Sequence, residues 1–491
     1  MGRRSWSAVV VLLMTIVLVG HVLTQGRAAP TPSPKTTAGA SDARASSIAG
    51  RAACSGRACH GGLEPNAAGV RQNEFTTWIM HDKHARAFEV LTGERGRRIG
   101  RNLGIEHPER DARCLACHTT PQLAGAIPDD LVPLRADGVG CEACHGPAKA
   151  GGSAGSEGWL VAHVTAEWKK LEGKSKEAAC EKNGMTPLFD LEVQARTCAG
   201  CHVGAPADPA HGIPARDLNH DLMAAGHPRL MFELSTYRAN MPPHWRTDLH
   251  AKTPGYEALV WATGQVESAK ASAELSGDRA KRAAEGKAPW PEFAEAGCFS
   301  CHADLRAPSW RRQGDYYAGR TPGAIPANRW YSALLPTLDV VAKNKAVPAN
   351  KAVRDLATEL NTPSPDPAKV AALAGTATAD LDKLLAAIKP LSMDAANLKA
   401  LTEGLAKQAG TIKQPDWDEL AQIALAAAAL RDAAGKGTSP EALQPLDDLF
   451  RQLAFPSPYE SPEGYTPSAK VEGQPDDLHA RLLKLLQDMS R

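Results

Sequence analysis

Four times the chain reads Cys-x-x-Cys-His: at Cys114, Cys117 and His118; at Cys141, Cys144 and His145; at Cys198, Cys201 and His202; and at Cys298, Cys301 and His302. With 11 cysteines and 16 histidines in 491 residues, chance would produce on the order of 0.01 such strings. Two thiols three residues apart, followed at once by a histidine, form the attachment motif of c-type haem. The thiols become thioethers on the two vinyl groups of one porphyrin, and the histidine sits under the iron as its proximal ligand. A chain that must wrap several porphyrins has part of its core supplied from outside the sequence.

A fifth segment, CSGRACH, places four residues between Cys54 and Cys59 and ends in His60. It keeps the Cys-His pair and heads the series, so it reads as a fifth, wider attachment site. The alternative is a Cys54–Cys59 disulfide in an oxidising compartment. Zinc is the main competitor at all five places. Structural zinc needs paired clusters, a C-x2-C with a second C-x2-C or an H-x3-5-H, whereas each pair here carries its own adjoining histidine. Cys180 is left over; with only Lys182 as a basic neighbour, it reads as an inert structural thiol.

The first residues set the compartment. Arg3 and Arg4 precede an apolar run from Ala8 to Gly20 broken by Thr15, and a small-residue stretch ends at Ala28 and Ala29. This is the pattern of a secretory signal peptide. Its core of about 13 residues falls short of the ~20 that a spanning helix needs, which favours cleavage over an uncleaved anchor. Cleavage near residue 28 removes Arg3, Arg4 and Arg27 and turns the formal charge from +1 to −2. A near-neutral exported protein with no membrane span after cleavage is expected, and such a charge argues against nucleic-acid binding.

The rest divides by composition. Residues 1–28 read as the signal peptide, 29–48 as a flexible leader, and 49–335 as a pentahaem cytochrome c domain rich in Gly, Pro, Cys and His. Helical pieces occur there at Glu74–Leu91 and Tyr256–Lys287. Residues 336–455 repeat Ala, Leu, Asp and Lys at helical spacing, as in DLDKLLAAIKPL and DELAQIALAAAALRDAAG, and read as a bundle-like helical module. Residues 456–491 are a linker and a terminal helix, DLHARLLKLLQDM. The fold class is mainly α with extensive loops. Hydrophobic residues at 43% exclude wholesale disorder, yet aromatics are only 5%, and porphyrins would make up the missing apolar bulk.

Five histidines are proximal; setting aside His21 in the signal and His479 in the last helix leaves His81, His84, His107, His163, His211, His220, His227, His244 and His250. Imidazole is plentiful, and few of the nine Met lie near a motif, so bis-His ligation is favoured over His/Met. Iron ligated on both faces has no open position, which suits electron transfer. The short gap between His118 and Cys141 makes the second and third haems expected neighbours.

The segment FTTWIMHDKHARAFEVL, the run GVGCEACHGPA followed by His163, and CAGCHVG followed by LNHDLMAAGHPRLMFEL resemble the cytochrome c-554 family of multihaem cytochromes. The resemblance spans about residues 50–335. It implies His84, His163, His220 and His227 as distal ligands. The chain departs from the family pattern at His81 and in its wider first motif. The family also includes members with one five-coordinate haem, so the fifth distal position stands open between His107, His244, His250 and no ligand. Arg229 and nearby basic residues are expected to pair with haem propionates.

The favoured function is an extracytoplasmic electron carrier with about five covalently attached haems, docking transiently on redox partner proteins through small interfaces. The alternative is a haem oxidoreductase acting on a small nitrogen or sulfur compound at one five-coordinate haem. Tyr237, Arg246 and His244 would then serve as proton donors or anion clamps. A third reading makes the chain a docking subunit whose Cys-free C-terminal helices bind a partner.

Overall fold

The computed structural model describes residues 45–66, 70–149, 158–245, 253–297, 324–343, 346–412, 417–435, 440–453 and 475–490. The signal segment, most of the leader and the motif Cys298, Cys301 and His302 lie outside the described residues. The described part is helix and loop, as expected. No strand forms among the described residues, only isolated bridges such as Ala205 with Arg216.

The first half is built from short helices: α1 (Glu74–His81), α2 (Glu94–Asn102), α3 (Ala112–His118), α4 (Cys141–His145), α5 (Leu191–His202), α6 (His220–Ala224) and α7 (Leu234–Asn240). Side-chain caps start four of them. Asp111 accepts from Arg113 N, Asp190 from Glu192 N and Val193 N, Asn219 from Leu222 N, and Glu233 from Ser235 N and Thr236 N. Each such oxygen satisfies a donor that the first helical turn cannot pair internally. The apolar clusters here are small. One holds Leu91, Leu115, Ala116 and Ala124, and another holds Ala45, Ile48 and Leu123.

The second half is a different kind of structure. α8 runs without a break over Tyr256–Ala284, and most of its residues are buried. α9 (Ala346–Leu360), α10 (Pro367–Ile388), α11 (Ala395–Thr411), α12 (Trp417–Ala433), α13 (Pro440–Leu453) and α14 (Pro475–Ser490) follow. α8 packs on α10 and α12 on one side and on α5 and α7 on the other, so it touches both halves. A helix covered all round has no need of a polar face, and α8 instead buries paired polar groups. Gln265 Nε2 donates to Gln422 Oε1 at 3.2 Å, and Arg279 bridges Asp217 and Glu295 at 2.6 Å each. The main apolar core joins Trp261 and Val266 of α8 to Trp330, Leu334, Leu381, Leu384, Leu405, Leu420, Ile423 and Leu482.

Small residues let these helices approach. A Cβ on Gly264 of α8 would lie 2.5 Å from Leu234 Cβ of α7. Alanine in a helix interior ordinarily gains about 1 kcal/mol over glycine, but overpacking costs about 1–3 kcal/mol. Gly264→Ala is therefore expected to lower the melting temperature. An unchanged or raised value in a thermal denaturation scan would show that α7 slides freely on α8.

Candidate haem-binding site

The motif spacing becomes physical on a helix. The motifs at 114–118 and 198–202 form the last turns of α3 and α5, and the motif at 141–145 is α4 itself. Positions i, i+3 and i+4 share a helix face, so both thiols and the imidazole emerge together. The two residues between the thiols turn the other way into the protein. Leu115 and Ala116 are fully buried, as are Ala199 and Gly200. Glu142 is buried as well. It accepts from Ala49 N at 2.9 Å, Gly50 N at 2.8 Å and Ala148 N at 2.8 Å, tying the start of the described chain to α4.

The structure brings three proximal histidines against three of the expected distal ones. Ring centres of His60 and His163 are 6.2 Å apart, those of His118 and His227 are 6.3 Å apart, and those of His202 and His84 are 5.9 Å apart. Five of these six rings are fixed by a hydrogen bond at Nδ1. His118 donates to Ala87 O at 2.7 Å, His163 to Trp159 O at 2.8 Å and His227 to Pro228 O at 2.8 Å. His60 donates to Glu74 Oε2 and His84 to Asp82 Oδ1, each at 2.9 Å. A proton held at Nδ1 leaves the Nε2 lone pair for a metal. The sixth ring, His202, is held by packing, stacked on Phe232 at 5.6 Å and edge-on to Tyr237 at 4.9 Å.

Burial and partners set the protonation of these rings. Burial pushes His118 and His163 down and brings His202 and His227 to about 4. They are neutral, as metal ligands must be. The Glu74 carboxylate raises His60, and the Asp82 carboxylate raises His84, which makes those two the more strongly electron-donating rings.

The remaining histidines fall elsewhere. His145 is brought to about 4 by burial, with the neighbouring field of His244 lowering it further. Its Nδ1 is buried without a partner among the described residues. Trp159 lies 6.4 Å away and donates Nε1 to Gly146 O. No ring contact joins His145 to a second imidazole among the described residues. His244 packs on Trp245 at 5.3 Å. His220 donates its backbone N–H to Glu292 and sits 5.9 Å from Phe293, beside the chain that leads into Cys298. His107 and His211 are exposed and bonded to the nearby carboxylates of Glu109 and Asp208. His479 donates Nε2 to Ala409 O. Arg246 and His250 lie outside the described residues, and Tyr237 packs on His202.

The thiols also meet. Cys54 lies within hydrogen-bonding reach of Cys141, and Cys117 within reach of Cys201. Contacts thus join the first motif to the third and the second to the fourth, whereas the short chain between the second and third produces no such contact among the described residues. Cys54 and Cys59 form no disulfide. Arg216 Nη1 lies 3.9 Å from Cys201 Sγ and, with Cys117, brings the Cys201 thiol down to about 6. Cys180 is buried, and burial raises its pKa, which fits an inert thiol. Arg229 does not face outward for a propionate; its guanidinium is taken by Asp418 and Asn328.

Residues 53–146, which hold the first three motifs, match the family model described as cytochrome c554 and c-prime. Over this stretch the chain resembles the c-type cytochromes of that family. Covalently bound haem c goes with that family. No curated protein and no solved structure matches the chain. The residues of the cytochrome segment fit the group. A metal–imidazole nitrogen bond of about 2 Å, plus ~1.1 Å from nitrogen to ring centre on either side, separates two axial ring centres by roughly 6.2 Å. That is the spacing of the three pairs. No group of three or more His, Cys, Asp or Glu able to hold a metal ion occurs among the described residues. Two imidazoles do not close a zinc site; a haem would bring the remaining donors as its porphyrin nitrogens. Exposed Val161 and Val164 flank His163, apolar surface that a porphyrin face would cover.

Two kinds of residue escaped the sequence reading. Glu74 and Asp82 hold ligand-side nitrogens, and only Asp82, two residues before His84, has a local signature, the Asx turn. Phe232, which stacks on His202, has none. Glu142→Ala would strip buried backbone donors of their acceptor, at about 1–3 kcal/mol each. The expected result is a lower melting temperature and faster proteolysis near residue 50; wild-type behaviour in both would show the donors are satisfied otherwise.

Proposed function

We propose that the protein is an extracytoplasmic multihaem electron carrier. The observation that carries this reading is the three imidazole pairs at iron-spanning distance, each pairing a motif histidine with one from a distant part of the chain. Haem would be attached at Cys54 and Cys59, Cys114 and Cys117, Cys141 and Cys144, Cys198 and Cys201, and Cys298 and Cys301. His60, His118, His145, His202 and His302 would be the proximal ligands. The distal partners would be His163 for His60, His227 for His118 and His84 for His202. His220, beside the segment leading to Cys298, is assigned to His302. When bound, the haems supply one-electron redox chemistry at iron, and the protein sets each potential by ligand, burial and hydrogen bonding. Cross-motif thiol contacts support neighbouring porphyrin edges, as a relay requires. The leader sequence supports export. No helix among the described residues is long and apolar enough to cross a membrane, and redox partner proteins would be met by transient docking.

One observation favours a second reading at a single haem. His145 has no facing imidazole among the described residues, and His244 is the nearby histidine whose field it feels. An open iron there would make that centre an oxidoreductase site for a small nitrogen or sulfur compound.

Low-temperature electron paramagnetic resonance of the oxidised protein, with spins counted against iron, separates the two. The carrier reading expects low-spin ferric haem throughout. A high-spin component equal to one haem places the second reading first. The carboxylates give a further test. Asp82→Asn removes a negative charge from the hydrogen bond to His84, so the potential of that haem should rise by tens of millivolts with its haem still attached. A redox titration that superimposes on the wild type would remove His84 from the ligands.

A further inference from the structure

His227 does not stand on a helix. It opens an extended arm, Pro228 to Glu233, that links α6 to α7, and side chains distant in sequence grip that arm. Arg229 donates Nη1 to Asp418 Oδ1 at 2.9 Å and Nη2 to Asp418 Oδ2 at 2.8 Å; the two side chains are 10% and 6% exposed. A third donor bond runs from Arg229 Nη2 to Asn328 Oδ1 at 2.9 Å, and the same oxygen accepts from Trp330 N at 2.8 Å. Tyr331 Oη donates to Leu230 O, and Trp330 Nε1 donates to Phe232 O, both at 2.9 Å. Trp330 is stacked at 5.7 Å on Trp417, the first residue of α12 and the neighbour of Asp418. Arg329 pairs with the next residue, Glu419, at 2.5 Å.

Before His227 the chain is braced from the opposite side. Arg95 Nη2 donates to Gly226 O and Asn102 Nδ2 to Ala225 O, both from α2 at 3.0 Å. The far end of the arm carries Phe232, which stacks on His202.

His227 N–H donates to Leu222 O of α6 at 3.0 Å, but the extended segment beyond it has no helical ladder to fix it and relies on these outside contacts. A bidentate Arg–carboxylate pair fixes both distance and plane, and its burial makes loss of one partner leave an uncompensated charge. We propose that the start of α12 clamps the His227 arm, with Asp418, acting through Arg229, as a positioning residue for the axial imidazole opposite His118. The C-terminal helices thereby tune, through Arg229, the haem held by Cys114 and Cys117. This rests on the reading of His118 and His227 as one axial pair.

The test uses the full-length, haem-loaded protein, read by electron paramagnetic resonance and potentiometric titration. His227→Met comes first. It should shift the signal and raise the potential of one haem, and unchanged spectra would overturn the axial pair itself. Asp418→Asn should then perturb that same haem at unchanged haem content, as loss of its low-spin signal into a high-spin one or a shift in its potential. Asp418→Glu should restore most of the wild-type signal. Leu482→Ala, in the core of the same helices and away from the arm, serves as the control for general loosening. Wild-type spectra for Asp418→Asn, in a protein where His227→Met does shift one haem, overturn the clamp. So does an equal shift from Leu482→Ala. Should Asp418→Asn fail to fold, Trp330→Phe keeps the ring stack and deletes only the bond to Phe232 O. A smaller shift at the same haem supports the clamp, and wild-type spectra overturn it.

Discussion

The spacing of roughly 6 Å between the rings of three imidazole pairs is the constraint on which the first half of this protein depends. Each pair brings together two histidines more than 100 residues apart in the chain, so every pair is also a long-range contact. Elements such as α3 and α4 are far too short to be stable alone. Their stability has to come from what they hold. Caps at Asp111 and Asp190 and the buried carboxylate of Glu142 fix the helix ends and the turn beyond them, and the haem is left to join the pieces.

The second half solves the opposite problem with conventional means. α8 is buried along most of its length, and small side chains let its neighbours come close. Some of its buried polar residues are paired across interfaces, as at Arg279 with Asp217 and Glu295. Because α5 ends in a haem motif and packs on α8, the rigidity of a bundle is passed directly to the turn that bears Cys198, Cys201 and His202. A loop-rich region and a dense helical scaffold are thus complementary: one bears the Cys-x-x-Cys-His motifs and the other limits how far the packed elements that carry them move.

Much of this was legible in the chain. The Cys-x-x-Cys-His strings are legible from spacing alone, and the three at 114–118, 141–145 and 198–202 stand on helices, where i, i+3 and i+4 share a face. The helices from α9 to α12 were visible as repeats of Ala and Leu at helical period, and the long helix at Tyr256 was visible in the same way. His84, His163 and His227 were identified as candidates, but not their partners, since pairing is decided by the path of loops that carry no periodic signal. Asp82 is buried and bonded to the His84 ring, whereas the neighbouring His81 is exposed. The fate of Arg229 could not be read at all. Its partner, Asp418, is 189 positions away and looks like any acidic residue in the first turn of a helix.

The neighbouring thiols carry a consequence for biogenesis. Cys54 beside Cys141 and Cys117 beside Cys201 are distant in sequence and adjacent in space. If the chain folded first in an oxidising compartment, thiols from different motifs would meet and oxidise to one another, and no free thiol would be left to add across the vinyl groups of a porphyrin. The proposed haem attachment would therefore constrain the order of events: each pair of thiols would have to be consumed by its own porphyrin while the polypeptide is still open. The compact form is a destination that the bare polypeptide should not reach ahead of its haem.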